Sequence, residues 1–467
     1  MIHRLLPLLL LSACATGPDF HPADTPPAAS AGFTPTPAAS TATAPDAWWR
    51  LYDDPVLDDL IAQAFAANTD LRVATANLRR ARAVLAVSGA ARLPTTTISG
   101  SASEAQQRVS TINGPVPFRS EFYRLGFDAS YEIDLYGRVG RSIEAARADT
   151  AAEAAQRDTV AISVAAETAR AYADACSGAR QLAVAQRSLQ IQTDSFALTE
   201  RRVAAGRDSP LGAAQARSQL ETTRASLPGF AANRRSALFR LAVLTGKPPT
   251  EIDPRAAACA APPLLKQPLP VGDGAALLKR RPDVRRADRQ LAAATARIGV
   301  AIADLYPKIS LGGAVSGQGT TPGAVVSSSG FGFSIGPLIS WSFPNILVAR
   351  ARIAQAKASA EAALATFDGT VLAALQDTET ALSDYSASID RNTALRAARD
   401  QSGEAARIVR LRYAAGAENF LTVLDAERTL ATADASLASS DAALTTAQIA
   451  VFKALGGGWE TLSPPPK

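Results

Sequence analysis

Gly332-Phe333-Ser334-Ile335-Gly336 has the Gly-x-Ser-x-Gly spacing of a hydrolase nucleophile. That chemistry needs a strand-to-helix turn under the serine and a histidine to take its proton. Here the motif lies inside a run of alternating apolar and small residues. The 467-residue chain has two histidines, His3 in a leader and His21 in a Pro-rich tether. An anchored hydrolase using Ser334 is therefore the weakest reading. No Cys/His cluster has metal-ligand spacing, and no Gly-rich loop ends in Gly-Lys-Ser/Thr. No catalytic residue, metal or cofactor is expected, so the function lies in shape.

The start of the chain points to chemistry of another kind. His3 and Arg4 precede Leu5–Leu11, an apolar run too short to span a bilayer. Leu11-Ser12-Ala13-Cys14 reads as a lipobox, which makes residues 1–13 a lipoprotein signal and Cys14 the lipidated first residue. Ala15 rather than Asp follows, which by the bacterial sorting pattern points to the outer membrane. One set of acyl chains anchors reversibly, so a second membrane contact is expected. The periplasm permits a disulfide. Cys176 falls on a predicted rod and Cys259 in a loop, however, and both are read as free thiols.

The elements that must carry any function are rods. Val371, Leu375, Thr378, Leu382, Tyr385 and Ile389 alternate steps of four and three, as do Leu430 through Ala454 after a break at Arg412–Gly416. That 3.5-residue period is a coiled-coil seam. The arm from about residue 348 to 415 would be roughly 100 Å long at ~1.5 Å per residue. Its charged residues keep it in water. The same rod occurs earlier, with Leu182, Leu189, Phe196 and Val203 spaced by sevens. Arg202-Val203-Ala204-Ala205-Gly206 matches Arg412-Tyr413-Ala414-Ala415-Gly416 at a shift of 210, and Asp70–Pro94 matches Asp283–Pro307 at a shift of 213. The chain is one unit written twice. Residues 48–246 form the first copy, 273–456 the second, and 247–272 a Pro-rich linker. Residues 14–47 read as a lipid-anchored tether without a core, and 457–467 as an irregular tail. The formal charge of +5 comes from basic residues scattered along helix faces, which argues against nucleic acid as a partner.

Four segments have a different period. Residues 122–135 and 330–343 alternate apolar and polar residues with aromatics near the ends; residues 95–105 and 308–317 do so more weakly. Such runs suit membrane β-barrel strands. Gln106–Ser120 and Gln318–Ser329 read as polar loops facing outside. Four strands cannot close a barrel, and open edges in lipid cost several kcal/mol per unpaired group. The barrel must be shared between chains, and three chains give twelve strands.

The chain resembles the outer membrane efflux proteins, TolC-like outer membrane factor lipoproteins of tripartite RND-type efflux pumps. Its marks are Gly17-Pro18-Asp19-Phe20, Trp48-Trp49 with Asp54-Pro55, Arg280-Arg281-Pro282-Asp283-Val284-Arg285, Gly299-Val300-Ala301, Tyr306-Pro307, Val423-Leu424-Asp425-Ala426 and Lys453–Trp459. The resemblance implies a mainly α fold with a membrane β-barrel, assembled as a homotrimer: a twelve-stranded barrel on an α-helical periplasmic tunnel, with a mixed belt near residues 247–272 and both termini. It implies an exit duct that works with a periplasmic adaptor and an inner-membrane RND-type transporter. Arg202, Val203, Gly206, Arg412 and Gly416 would form the adaptor-docking tip, and Asp425 and Tyr413 the periplasmic gate. In relatives a second acid precedes the gate acid by three residues; here that position is Thr422, and Gln215 takes the place of Asp425 in the first copy. Tyr413 would bond a neighbouring coil, with Asp208 as the candidate acceptor. The alternatives are a type I protein-secretion channel, whose members usually lack the anchor that Cys14 supplies, and a structural periplasmic coiled-coil lipoprotein.

Overall fold

The computed structural model describes residues 16–23, 33, 39–40, 42, 44–265, 267–272, 274–343 and 346–459. Cys14 and the signal segment lie outside them. In chain order the elements are β1 (Ala39–Ser40), α1 (Pro55–Ala67), α2 (Thr69–Ala90), β2 (Thr95–Thr111), β3 (Gly114–Ile133), α3 (Arg138–Ala204), α4 (Pro210–Leu244), α5 (Pro254–Ala257), β4 (Leu269–Pro270), α6 (Gly274–Arg280), α7 (Pro282–Ala303), β5 (Lys308–Gly319), β6 (Phe331–Ser340), α8 (Ile346–Ala414) and α9 (Phe420–Ala454). No described helix is long and apolar enough to cross a membrane. The chain divides into two compact units. One comprises Met1–Asp24, Asn77–Ala154 and Arg286–Asp368; the other comprises Thr25–Ala76, Ala155–Arg285 and Gly369–Lys467.

The first unit contains the sheet, antiparallel throughout, in the order β2-β3-β5-β6. Residues directly opposite one another share a face. One row is Ile98, Phe127, Val315 and Phe333; others are Tyr131, Leu311 and Pro337, then Ile133, Ile309 and Ile339. The opposite face carries Ser99, Gly126, Ser316 and Gly332, then Thr97, Asp128, Ala314 and Ser334. The sheet is thus apolar on one side and lined with Ser and Gly on the other. Its apolar side is bare, with Phe333 at 74% and Ile335 at 76% exposure. β2 and β6 are the sheet's two edges.

The segment Gln106–Ser120, read as a loop, is strand. β2 and β3 pair without interruption to Thr111↔Gly114. Ile112-Asn113 is the tight turn between them, followed by Gly114 at φ 102°. Pro115 and Pro117 lie where β3 no longer has β5 beside it, an edge position that tolerates proline.

Residues 16–20, read as the start of a free tether, are docked. Gly17, at φ 95°, presses so closely on Gly299 that a Cβ would land 2.5 Å from its Cα. The buried Arg141 donates to Asp19 Oδ1 (2.7 Å) and to the Thr16 carbonyl (3.2 Å). Two motifs far apart in sequence are therefore one contact, because glycine alone allows two backbones this close.

The second unit shows how the repeat is punctuated. α3, α4, α8 and α9 are each followed by a left-handed glycine: Gly206 (φ 68°), Gly246 (75°), Gly416 (78°) and Gly456 (70°). After α3, Gly206 N–H bonds the Val203 carbonyl and Arg207 N–H the Arg202 carbonyl. Gly416 with Ala417, and Gly246 with Lys247, repeat the pattern. These are Schellman ends. The helices after the two tips start from side-chain caps, Ser209 on Leu211 N–H and Asn419 on Thr422 N–H. On α8, Val371, Thr378, Leu382 and Tyr385 are buried along the seam. On lower α3 the most buried column is Ala185, Gln192 and Thr199, while Leu182, Leu189 and Phe196 are half-buried. There the seam carries small and polar residues rather than the leucines.

The main core of this unit gathers around Trp48, which stacks on Phe452 with centroids 4.9 Å apart. The Arg280–Arg285 motif ties chain segments to it. Arg280 donates to Asp46 and the Ala44 carbonyl, Arg281 to Asp283 (2.6 Å) and the Ala454 carbonyl (3.0 Å), and the Arg285 guanidinium lies 4.2 Å over Trp459. Residues 44–47, read as tether, and Trp459, read as irregular tail, are thereby part of the fold. β1 also pairs in parallel with β4.

The two cysteines read as free are bonded: Cys176 of α3 and Cys259 just after α5 form a disulfide across 83 residues. The linker folds back onto the rod instead of bypassing it. Closing a loop of this size stabilises a fold by about 2–4 kcal/mol. Denatured, unreduced protein is expected to leave both thiols unlabelled by iodoacetamide and to label both after reduction; labelling without reductant would show them free.

Candidate functional site

The two Ala-Ala-Gly turns end the α3–α4 and α8–α9 hairpins, and the structure brings them together within one chain. The Tyr413 hydroxyl donates to Asp208 Oδ2 (2.9 Å). Arg202 donates from Nη1 to the Tyr413 carbonyl (3.2 Å) and lays its guanidinium 4.2 Å over the Tyr413 ring. Arg202 Nε lies 3.6 Å from the same Asp208 oxygen. A tyrosine, an arginine and an aspartate from the matching turns of both copies thus form one closed cluster. Burial and the bond to Asp208 hold the Tyr413 hydroxyl above its usual range, so it remains a donor. Beneath it lies a small apolar core of Ala216, Tyr413, Phe420 and Val423, with Phe196, Leu198, Val409 and Leu424 packed against it.

The other expected site residues have separate places. Arg412 faces Glu418 of its own turn at 3.5 Å. Val203 accepts the Gly206 N–H in the helix end, and Gly206 and Gly416 supply the left-handed bends. Asp425 is exposed on α9, just after Val423 and Leu424 of the apolar core beneath Tyr413. Ser334 lies in the middle of β6 opposite Ala314, not at a strand-to-helix turn.

Two features were not anticipated. Leu211 and Leu421, one residue into α4 and α9, are 63% and 54% exposed. They correspond at the same shift of 210 as the turns, and that correspondence is the signal that could have found them. Glu427, two residues past Asp425, is buried at 6% exposure. Burial pushes its carboxyl up from 4.5 to about 7, opposed by Arg410 of α8 and by a bond to Ser195 of α3.

The sign of that shift sets a pH dependence. The folded state holds the Glu427 proton more tightly than the unfolded chain does. The stability it contributes is therefore present below about 4.5 and lost as the pH rises through about 7. The swing is roughly 3 kcal/mol. Glu427→Gln is expected to flatten the fall in thermal stability between about pH 5 and about pH 8; an unchanged slope would show that the carboxyl is ionised throughout.

The model of the outer membrane efflux protein family matches residues 60–247 and 275–457, the two copies in turn. The pyoverdine export outer membrane protein OpmQ of Pseudomonas putida is 33% identical over 478 residues, covering 98% of each chain. The outer membrane protein OprJ of Pseudomonas aeruginosa is 29% identical, with 98% of this chain and 96% of the relative covered. Among solved structures, the outer-membrane channel OprN superposes with a TM-score of 0.88 at 35% identity, over 96% of this chain and 100% of that one. The open state of the MtrE outer membrane channel of Neisseria gonorrhoeae gives 0.84 at 29% identity, over 96% and 99%. The chain belongs to the outer membrane efflux protein family: it is the outer membrane channel of an efflux system and not an enzyme.

Proposed function

We propose that three copies assemble into a duct whose periplasmic end is held shut by the Tyr413–Asp208–Arg202 cluster. The single observation that carries this reading is the 2.9 Å bond from the Tyr413 hydroxyl to Asp208, which joins the two hairpin turns of one chain. A duct that closes at its free end needs a link strong enough to hold the coils together and weak enough to release. A hydrogen bond to a charged partner contributes about 1.5–3 kcal/mol, and each 1.4 kcal/mol changes a population tenfold. Losing the bond therefore shifts the closed state by one to two orders of magnitude per protomer without unfolding the rods.

The trimer is supported by the sheet. Its apolar side is bare and its two edge strands are open, and in lipid every backbone group must be paired. Twelve strands leave a water-filled interior lined by the Ser and Gly face. Cys14 would add the lipid anchor. Exposed Asp425, repeated three times, would place an acidic ring near the gate and favour cations.

Leu211 and Leu421 give the tip its apolar contact surface for a periplasmic adaptor, with Arg202, Val203, Gly206, Arg412 and Gly416 setting the shape of the two turns. An inner-membrane RND-type transporter would then feed the duct. Exposed leucines at corresponding positions of both hairpins suit a partner that docks against each in the same way.

Tyr413→Phe keeps the ring, its contact with Arg202 and the apolar core, and removes only the hydroxyl. It is expected to raise conductance in planar bilayers about tenfold; conductance equal to wild type would show that this bond does not hold the gate. Leu211→Glu with Leu421→Glu is expected to abolish export in cells while the purified protein still conducts in bilayers. Retained export would remove the leucines from the docking surface.

A further inference from the structure

The β2–β3 hairpin reverses its amphipathic sense partway along, without breaking register. Up to Tyr123 the odd residues of β3, Tyr123 through Ile133, form the apolar face, and the even ones are Arg124, Gly126, Asp128, Ser130 and Glu132. Beyond Tyr123 the assignment inverts. Phe122, Phe118 and Val116 now lie on the even side, together with their β2 neighbours Ser103, Gln107 and Val109. The odd side becomes charged. Arg119 donates to Gln106 Oε1 (3.0 Å) and lies 3.8 Å from Glu104, and Tyr123 donates to Glu121 (2.9 Å). These contacts show independently that Glu104, Gln106, Arg119 and Glu121 share one face.

The pairing is uninterrupted from Thr95↔Ser130 to Thr111↔Gly114, so no bulge restores the original sense. The reversal falls where the sheet narrows from four strands to two, since β5 pairs with β3 only from Tyr123 onward. Below that point the apolar side is the one that would meet lipid. Above it, the apolar side is the continuation of the Ser- and Gly-lined face. Phe118 (57%), Phe122 (41%), Val116 (47%) and Val109 (46%) are exposed on that side. The β5–β6 connection does not cover them, because it folds onto the other face: a Cβ on Gly317, a residue of the lipid side, would strike the Val325 carbonyl.

We propose that the outer part of this hairpin, Ser103–Phe122, packs its Phe118–Phe122 face against the same hairpin of the other copies and forms an apolar barrier across the outer mouth of the channel. The inference rests on the trimeric duct proposed above. Once three sheets close edge to edge, the inner face of each hairpin looks across the mouth at its two counterparts. Water lies between these faces when they are apart. Bringing them together removes several aromatic and aliphatic side chains from it, while the charged sides stay wet. A ring of this kind restricts ion flow by partial dewetting yet yields to cargo pushed from within.

The test uses single cysteines in the full-length protein, whose own Cys176 and Cys259 are bonded to each other. Phe118→Cys is expected to cross-link between chains with a short bismaleimide on intact cells, and Arg108→Cys, on the opposite face, is not. A membrane-impermeant maleimide should label the residue-108 cysteine fast and the residue-118 cysteine at least tenfold more slowly. Phe118→Ser with Phe122→Ser, in a Tyr413→Phe background so that the other constriction is already open, is expected to raise bilayer conductance about twofold. If native mass spectrometry finds a trimer but the residue-118 cysteine labels as fast as the residue-108 cysteine, the barrier is refuted and the duct stands. If no trimer is found, the duct itself fails.

Discussion

The structure depends on one constraint: in hydrocarbon, no backbone N–H or C=O can be left unpaired. Four antiparallel strands satisfy it everywhere except along β2 and β6, and they carry a bare apolar face that water would not tolerate at this size. In the proposed duct, lipid resolves the face and further copies resolve the edges. The chain's arrangement is consistent with that solution at each level. The Ser and Gly face can border water, and the long rods carry their charges outside any bilayer. An assembly of this kind has no use for a catalytic group. What it transmits is geometry.

The repeat was legible because its punctuation is chemical. A helix ends where a left-handed residue lets the last carbonyls find donors, and glycine takes that conformation without a Cβ penalty. Gly206 and Gly416 could therefore be read as paired turns at a shift of 210, and both adopt that geometry. The sheet was legible by period, but only where apolar residues kept to one parity. The hairpin beyond Tyr123 was taken for a loop because its alternation changes phase, and a phase change looks like no pattern at all.

What escaped was mostly long-range. Cys176 and Cys259 lie 83 residues apart, and nothing in the spacing says that the linker returns to the rod. Gly17 and Gly299 were recognised as separate motifs, yet they form a single close contact, and Arg141, which clamps the segment beside them, carries no motif. Asp208 could only be named as a candidate acceptor for Tyr413. Only folding brings it under the hydroxyl. Glu427 was invisible because a glutamate in a charged, Ala-rich helix ordinarily faces water.

The contrast between two clusters in the second unit bears on the proposed gate, in which the link at the hairpin turns releases while the rest endures. Trp48, Trp49, Tyr52, Leu57, Leu60, Ile61 and Phe452 form a large buried core, tied down by the Arg280–Arg285 motif and the disulfide. At the turns the buried apolar cluster is small, Ala216, Tyr413, Phe420 and Val423, under one hydrogen-bonded network. Local opening free energies follow the number of buried apolar contacts and the exposure of the bonds that close them. The turns therefore lie at the low end of the chain's stability and the tryptophan core at the high end. The lower α3 seam adds to the difference, because Gln192 and Thr199 stand where a leucine would bind the coils more tightly. In the proposed gate, a polar seam beneath a polar lock lets the coils slide apart and return, which a tightly packed leucine seam would resist.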